Sequence, residues 1–301
     1  LLIRPAECTA GPWRTHSILG VAERANPSGM AQNDSIERRL IIFGLGYSGA
    51  AVAEAAMASG WEVSGTRRVP GDHALAGVAA LPFDAAGPAL ASATHVLATA
   101  PPDDAGDPVP ARYGAALAMS EVRWIGYLSS TGVYGDRGGA WVDEDTPPAP
   151  GSDRSRRRRA AEQQWETLAG RCAVDIFRLA GIYGPGRSAF DSLRAGTARR
   201  IIKPGQMFAR IHRDDIARAV LAAMRQERVP GVRILNLADD LPAENAEVIS
   251  EAARLLGLPP PPAVPFAEAA RGMSATALSF WAENRRVASA KTRAALGLNW
   301  R

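Results

Sequence analysis

Cysteine is almost missing from this 301-residue chain, where Cys8 and Cys172 are the only two. Two thiols cannot build a disulfide framework, and they lack the paired spacing of a zinc site. Lysine is as scarce: Lys203 and Lys291 are the only lysines among 35 basic residues, and all the others are arginine. Chemistry that needs a lysine in the first two hundred residues is thereby excluded. No stretch approaches the roughly 18 consecutive apolar residues of a membrane-spanning helix. With 47% hydrophobic and 22% charged residues, the composition is that of neither a disordered nor a collagen-like chain. The expectation is a globular protein of one large domain or two modest ones, in a reducing cytoplasmic setting, with no membrane segment.

Residues 1–37 read as a disordered N-terminal extension, because Pro5, Gly11, Pro12, Pro27 and Gly29 interrupt any sustained period. The secretory pattern of apolar core, basic flank and cleavage site is not there. An upstream translation preceding a start at Met30 is one account of the segment. Its Arg and Ser content suggests a transit peptide, which Glu7, Glu23 and Asp34 oppose.

Order begins at Arg39-Leu40-Ile41-Ile42-Phe43, a short apolar run that ends in Gly44-Leu45-Gly46-Tyr47-Ser48-Gly49. Good helix formers follow from Ala50 to Met57, with Gly60 as a stop. Strand, glycine turn and helix in this order form the phosphate cradle of a dinucleotide fold. Gly44 permits the tight turn, Gly46 lets a pyrophosphate approach the backbone, and Gly49 lets the helix pack on the strand. The helix start offers N–H groups and a positive dipole end. An ordinary strand-to-helix turn would share the glycines, but the next segment, Trp61 to Thr66, reads as a second strand ending in Arg67-Arg68. An acidic residue there would hold the ribose hydroxyls of NAD, whereas arginines suit the 2′-phosphate of NADP. The expected cofactor is NADP, with NAD as the alternative and a solvated loop as the plain reading of the arginines.

Apolar stretches recur at about 78–83, 94–100 and 124–129, at intervals that fit a parallel, doubly wound sheet. Asp84, just after the third strand, suits either the adenine amino group or a helix N-cap. Ala98-Thr99-Ala100-Pro101-Pro102 puts small residues where the fourth strand would meet the cofactor, which makes Thr99 and Ala100 candidate contacts.

Three later motifs occur in sequence: Leu128-Ser129-Ser130-Thr131-Gly132-Val133-Tyr134-Gly135, Arg178-Leu179-Ala180-Gly181-Ile182-Tyr183-Gly184-Pro185-Gly186, and Ile211-His212-Arg213-Asp214-Asp215-Ile216-Ala217. With them the chain resembles, from about Arg39 to its end, the extended short-chain dehydrogenase/reductases, which include nucleotide-sugar epimerases and dehydratases. The resemblance implies a Rossmann α/β domain at 38–186. A smaller substrate lobe would follow, mainly at 187–301, with segments returning to the sheet. It also implies that Ser130 polarises a substrate oxygen and that Gly181 and Ile182 line the nicotinamide. Resembled proteins carry a Tyr-x-x-x-Lys helix leading into Ala-Glu, in which the tyrosine moves the proton. Here that register gives Arg154 and Arg158 before Ala161-Glu162, and neither lysine has a tyrosine four residues before it. Arg158 could still donate to ribose hydroxyls, but an arginine at 154 stays protonated and is a poor proton shuttle. By residue type, Tyr134 and His212 are substitutes. A packed aromatic is the simpler reading of Tyr134, and a cap beside Asp214 and Asp215 is the simpler reading of His212. The glycine motif is Gly-x-Gly-x-x-Gly where extended members have Gly-x-x-Gly-x-x-Gly. Both departures resemble the atypical short-chain dehydrogenase/reductases of the NAD-dependent epimerase/dehydratase family.

In the second half, residues 153–169 read as an amphipathic helix with Trp165 in the core and positions 154 and 158 on the cleft side. Five arginines and one aspartate between Gly151 and Ala160 account for the chain's formal net charge of +4. Without interleaved aromatics or a binding motif, a solvated helix end outweighs a nucleic-acid partner. Arg187, Arg194, Arg199, Arg200 and Lys203 could meet a phosphorylated or acidic substrate, or be plain surface charge. Asn236 to Asp240 and a helix at about 243–256 read as more of the substrate lobe, Gly257 to Pro262 as a stiff linker, and 273–286 as mixed in character. The chain stops earlier than resembled proteins do, so a truncation is expected. The functional expectation is an NAD(P)-binding oxidoreductase or epimerase acting on a sugar-like or other small hydroxyl/carbonyl substrate. A non-catalytic NADP-responsive sensor on the same fold is the alternative. Oligomeric state is not legible.

Overall fold

The computed structural model describes residues 38–67 and 75–300. The N-terminal segment read as an extension, including Cys8, lies outside them, as does Arg68.

The chain opens with β1 (Arg39–Phe43), whose Leu40 and Ile42 enter one core while Ile41 and Phe43 enter another. This alternation with both sides buried is what a central parallel strand requires. In chain order there follow α1 (Tyr47–Met57), β2 (Glu62–Arg67), β3 (Ala79–Pro82), α2 (Gly87–Ser92), β4 (His95–Ala98), α3 (Pro108–Met119), β5 (Trp124–Ser130), β6 (Trp141–Val142), α4 (Asp153–Glu166), β7 (Ala173–Leu179), β8 (Gly181–Tyr183) and α5 (Ala189–Arg194). The remainder supplies β9 (Arg200–Ile202), β10 (Arg210–His212), α6 (Arg213–Met224), β11 (Gly231–Leu237), α7 (Asn245–Leu255), β12 (Ala263–Pro265), α8 (Phe266–Ala269), α9 (Ala275–Trp281), β13 (Arg286–Val287) and α10 (Ala290–Leu296).

Among the described residues the central sheet has seven strands in the order β11-β7-β5-β4-β1-β2-β3, with every pairing parallel. Chain direction across the sheet reverses between β1 and β4, the switch point where α/β sheets open a crevice at their strand ends. Phe43 is level with Thr66 and Ala98, and Ser130 with Leu179, so the ends of five strands converge there. Helices cover both sides, as the Rossmann reading requires. One core packs the sheet against α1 and α6, and the other packs it against α2, α3 and α4. Trp165 is fully buried in the second core, where its indole N–H donates to Asp107 Oδ2 at 3.0 Å.

Asn236 corrects one expectation, since it lies in β11 beside β7 of the central sheet and not in a substrate lobe. α6 likewise packs on α1. Its N-cap is His212, whose Nδ1 accepts the Asp214 N–H at 3.2 Å, the capping role its neighbours suggested. Three two-stranded parallel pairs, β8 with β10, β9 with β12 and β6 with β13, carry the rest of the C-terminal half. A small core of Ile201, Ala269 and Trp281 holds that part together.

Candidate functional site

The glycine loop owes its shape to backbone geometry and to two threonines. Gly44 has φ +109°, which a side chain would strain, and its N–H donates to Thr66 Oγ1 at 3.1 Å. Leu45 N donates to Thr66 O at 2.8 Å, while the Leu45 side chain is buried against Gly65. Thr99 ties the other side, with Oγ1 donating to Gly44 O at 2.5 Å and its N–H to Phe43 O at 2.9 Å. Leu45, Thr66 and Thr99 therefore hold the loop's conformation. A Cβ on Gly49 would stand 2.1 Å from Gly44 O, so only glycine lets α1 start this close to β1. A Cβ on Gly46 would meet nothing within 4 Å. Gly46 is also the N-cap of α1, has no side-chain cap, and no acidic residue lies in the first turn. Open space over uncapped N–H groups at a positive helix end suits a pyrophosphate, so these residues fit a dinucleotide.

From this loop a cleft of about 490 Å³ runs across the strand ends. It brings together Gly46, Tyr47, Ser48, Gly49, Thr99, Ser130, Arg158, Gly181 and Ile182, all named from the sequence. Of the adjacent hydroxyls, Ser129 is spent on the core, where its Oγ donates to Glu162 Oε1 at 2.6 Å. Ser130 Oγ accepts the Gly132 N–H at 3.1 Å, which leaves its own proton to be donated into the cleft. Glu162 is fully buried and binds Arg178 through both carboxylate oxygens, at 3.1 and 2.9 Å. Tyr134 is a correction: it is 0% exposed, lies under the Arg178 guanidinium and donates its hydroxyl to Asn236 Oδ1 at 2.7 Å. Burial raises its pKa, and it has no access to the cleft, so it is a packed aromatic and not a proton carrier.

Other named residues lie outside the cleft lining. Arg67 ends β2, one residue beyond the level of Phe43, at the rim beside the glycine loop. Asp84 sits within a short 3-10 turn as neither cap nor lining residue, its side chain 85% exposed and 3.8 Å from Arg112. Ala100 N donates to Phe43 O at 3.2 Å. Of Arg187, Arg194, Arg199, Arg200 and Lys203, only Arg187 lines the cleft, with its guanidinium over the Tyr47 ring at 5.6 Å. Lys203 and Arg200 are held by the carbonyls of Trp281 and Pro261.

α4 delivers its two inward arginines differently. Arg158 Nη1 donates to Tyr127 Oη at 2.8 Å and to Leu128 O at 3.0 Å, leaving its other N–H groups facing the cleft. Arg154 lies over the Phe280 ring at 4.8 Å. Phe280 belongs to a group the sequence did not reveal, together with Glu283 and Arg285, which reach the cleft from the segment joining α9 to β13. Arg285 Nη1 donates to Gly135 O at 2.8 Å and to Glu283 Oε2 at 2.7 Å, while Glu283 Oε1 is buried without a partner. Glu283 is the one carboxylate among the described lining residues. Nothing local marks these residues, because their place is set by the two-residue pairing of β13 with β6.

No family model matches the chain. Over 245 residues it is 31% identical to Protein YeeZ of Escherichia coli K12, covering 74% of this chain and 86% of YeeZ. It is 43% identical to a functionally unknown conserved protein from Silicibacter pomeroyi DSS, whose solved structure matches with TM-score 0.80 over 88% of this chain and 94% of that one. The fold is shared with MoeE5, solved with UDP-glucuronic acid and NAD (21% identity, TM-score 0.71, 87% and 94% coverage). It is also shared with the human epimerase family protein SDR39U1, solved with NADPH (20%, 0.67, 87% and 94%). Among the described residues no helix is long and apolar enough to cross a membrane. The YeeZ relationship over most of both chains, a glycine loop feeding a parallel seven-stranded sheet, and epimerase folds superposing along it lead to one conclusion: the chain belongs to the atypical short-chain dehydrogenase/reductases, the NAD-dependent epimerase/dehydratase-like family.

Proposed function

We propose that the protein binds NADP, with NAD as the weaker ligand, and acts as an oxidoreductase or epimerase on a small, sugar-like hydroxyl or carbonyl compound in a cytoplasmic setting. The observation that carries this reading is the single cleft running from the uncapped start of α1 to the Ser130 hydroxyl. A nicotinamide dinucleotide bound there would supply hydride transfer. Gly46, Ser48 and Gly49 would hold its pyrophosphate, Arg67 and Arg68 its 2′-phosphate, and the spare N–H groups of Arg158 its ribose. Ser130 donates to the substrate oxygen. With the usual tyrosine replaced by Arg154, Glu283 is the proton carrier by residue type, being the one carboxylate among the described lining residues.

A second reading, a non-catalytic NADP-responsive sensor, is favoured by the arginines at both positions of the absent pair. Calorimetric titration with NADPH and NADH comes first, and binding of neither discards both readings. Tighter NADH binding removes the role given to Arg67 and Arg68. Oxidation of NADPH across a panel of carbonyl compounds and nucleotide sugars then separates enzyme from sensor. Ser130→Ala and Glu283→Gln are expected to lower turnover roughly 100-fold or more while leaving the NADPH Kd within about twofold, in line with general acid/base contributions. Turnover unaffected by either change removes that residue from the mechanism.

A further inference from the structure

We propose that the substrate end of the cleft holds an anionic group, a carboxylate or a phosphate, on Arg154. The proposal rests on the reading of the cleft as a substrate site and names the class of compound it takes: a hydroxyl or carbonyl compound that also carries an anion.

α4 distributes its arginines unevenly between partners and the cleft. Arg156 pairs with Asp153, Arg157 with Asp104, and Arg159 with Glu162 and Glu166 at 3.0 and 2.6 Å. Arg154 and Arg158, one helical turn apart and both on the cleft, form no ion pair among the described residues, the buried Asp107 acting on Arg158 only at longer range. The other three arginines of the helix are each paired with a carboxylate, and these two are not. Arg154 also has no hydrogen-bonding partner among the described residues. It packs against the Phe280 ring, itself 54% exposed, which takes one face of the guanidinium and leaves its N–H edge unused. Burial and the charge of Arg158 both push the Arg154 pKa down. Arg154 keeps solvent access, and the two neighbouring cations repel each other until a counter-charge arrives. A guanidinium edge matches a carboxylate or a phosphate in two parallel hydrogen bonds.

The surroundings point to a ligand's anion and not to the dinucleotide's phosphates. Those are served at the other end by the glycine loop, with Arg187 over Tyr47. Beside Arg154, Ser152 caps the helix and donates to Ser155 Oγ at 2.9 Å. The hydroxyls of Ser155 and Ser130 and Nη2 of Arg285 all lie within 3.9 Å of the Cβ position that Gly132 lacks. The donors available to an anion and the hydroxyl that would meet a reacting oxygen thus share one end of the cleft. A compound anchored by its anion on Arg154 presents a neighbouring carbon to Ser130.

The test is calorimetry at fixed ionic strength on the whole chain saturated with NADPH, with inorganic phosphate, D-glucuronate and D-glucose as probes. The expected result is saturable binding of phosphate or glucuronate, weakened roughly tenfold or more in Arg154→Gln, about the worth of one charge-assisted hydrogen bond. Arg194→Gln, an exposed site outside the cleft, should match wild type. Whichever anion binds more tightly identifies the group. Equal anion binding by wild type and Arg154→Gln overturns the proposal, as does loss of NADPH affinity in that variant with anion binding unchanged. If NADPH does not bind at all, the functional reading above fails by itself, and the same anion titration on the unloaded chain still decides the role of Arg154. Phenylglyoxal labelling read by mass spectrometry needs no variant. Phosphate or glucuronate should protect Arg154 and leave Arg194 reactive, and labelling of Arg154 unchanged by both anions counts against the site.

Discussion

Gly46 and Gly49 sit three residues apart and should fail in opposite ways when given a methyl group. At Gly49 the added Cβ would be 2.1 Å from the Gly44 carbonyl oxygen, so β1 and α1 must separate. We expect Gly49→Ala to lower stability by about 1–3 kcal/mol, the usual range for overpacking, with cofactor affinity falling as the loop shifts. At Gly46 the backbone, with φ −80°, already suits alanine, and the methyl enters open space. Gly46→Ala should unfold within about 0.5 kcal/mol of wild type, as a substitution without clash does, yet bind NADPH at least tenfold more weakly. Urea unfolding and calorimetry on the two variants separate a packing glycine from a phosphate-facing one. Equal NADPH affinity for wild type and Gly46→Ala would remove the phosphate from that position. The packing role of Gly49 was readable from the sequence, and the phosphate role of Gly46 could be expected from it, because a strand, a turn and a helix start are local and need no distant partner. The choice among Ser129, Ser130 and Thr131 was readable only by analogy, since it depends on which hydroxyl Glu162 captures from 33 residues away.

At the level of elements, the substrate end depends on a short segment fastened across the chain. β13 pairs with β6 over only two residues, and Asn284 adds further ties. Its backbone N–H donates to Asp136 Oδ1 at 2.8 Å, and its carbonyl accepts from Arg137 and Gly139. Its side chain accepts from Met207 N at 3.0 Å and donates to Gly205 O at 2.8 Å. Asn284→Ala strands these two backbone groups, and we expect a loss of about 1–3 kcal/mol in urea unfolding. Because Glu283 and Arg285 flank it, ligand binding at the substrate end should weaken more than NADPH binding at the glycine loop. Equal weakening at both ends would mean that Asn284 supports the fold as a whole. This coupling had no sequence signal: a two-residue strand has no period, and the partners of Asn284 lie about 80 and 150 residues before it. The same distance hid the place of Asn236, whose strand completes the central sheet only after α5 and α6 have intervened.

For the molecule as a whole, pH acts through groups the fold has buried. The His95 ring lies between Trp61 and Trp124, at 4.6 and 6.0 Å, and hydrogen-bonds Thr94 Oγ1. Burial pushes its pKa down to about 4, helped by Arg123 and Arg38 and opposed by a backbone contact from Met224. The unfolded chain therefore takes up this proton near 6.5 and the folded chain only near 4. Over that window the unfolded state holds more protons, so this contribution is complete above pH 6.5 and is lost as pH falls toward 4, by about 3 kcal/mol in all. Asp239 works in the opposite sense. Burial raises its pKa to about 6, so the folded state protonates first and gains as pH falls. Comparing unfolding of wild type and His95→Gln isolates the histidine, and their difference in stability should shrink by about 3 kcal/mol between pH 7 and pH 4. A constant difference would show that His95 does not titrate this way.

Among the described residues, four guanidiniums, those of Arg154, Arg158, Arg187 and Arg285, open onto one cleft that contains a single carboxylate. Low-dielectric walls focus such a field outward through the mouth, so its first effect falls on ligands still in solution. Anionic ligands would be drawn in before any contact forms, at encounter rates that decline with added salt as the screening length contracts to about 10 Å at 0.1 M. A neutral ligand of the same size would arrive by diffusion alone. In a mixed pool of metabolites the cleft would then sort by charge during approach, ahead of any selection by shape.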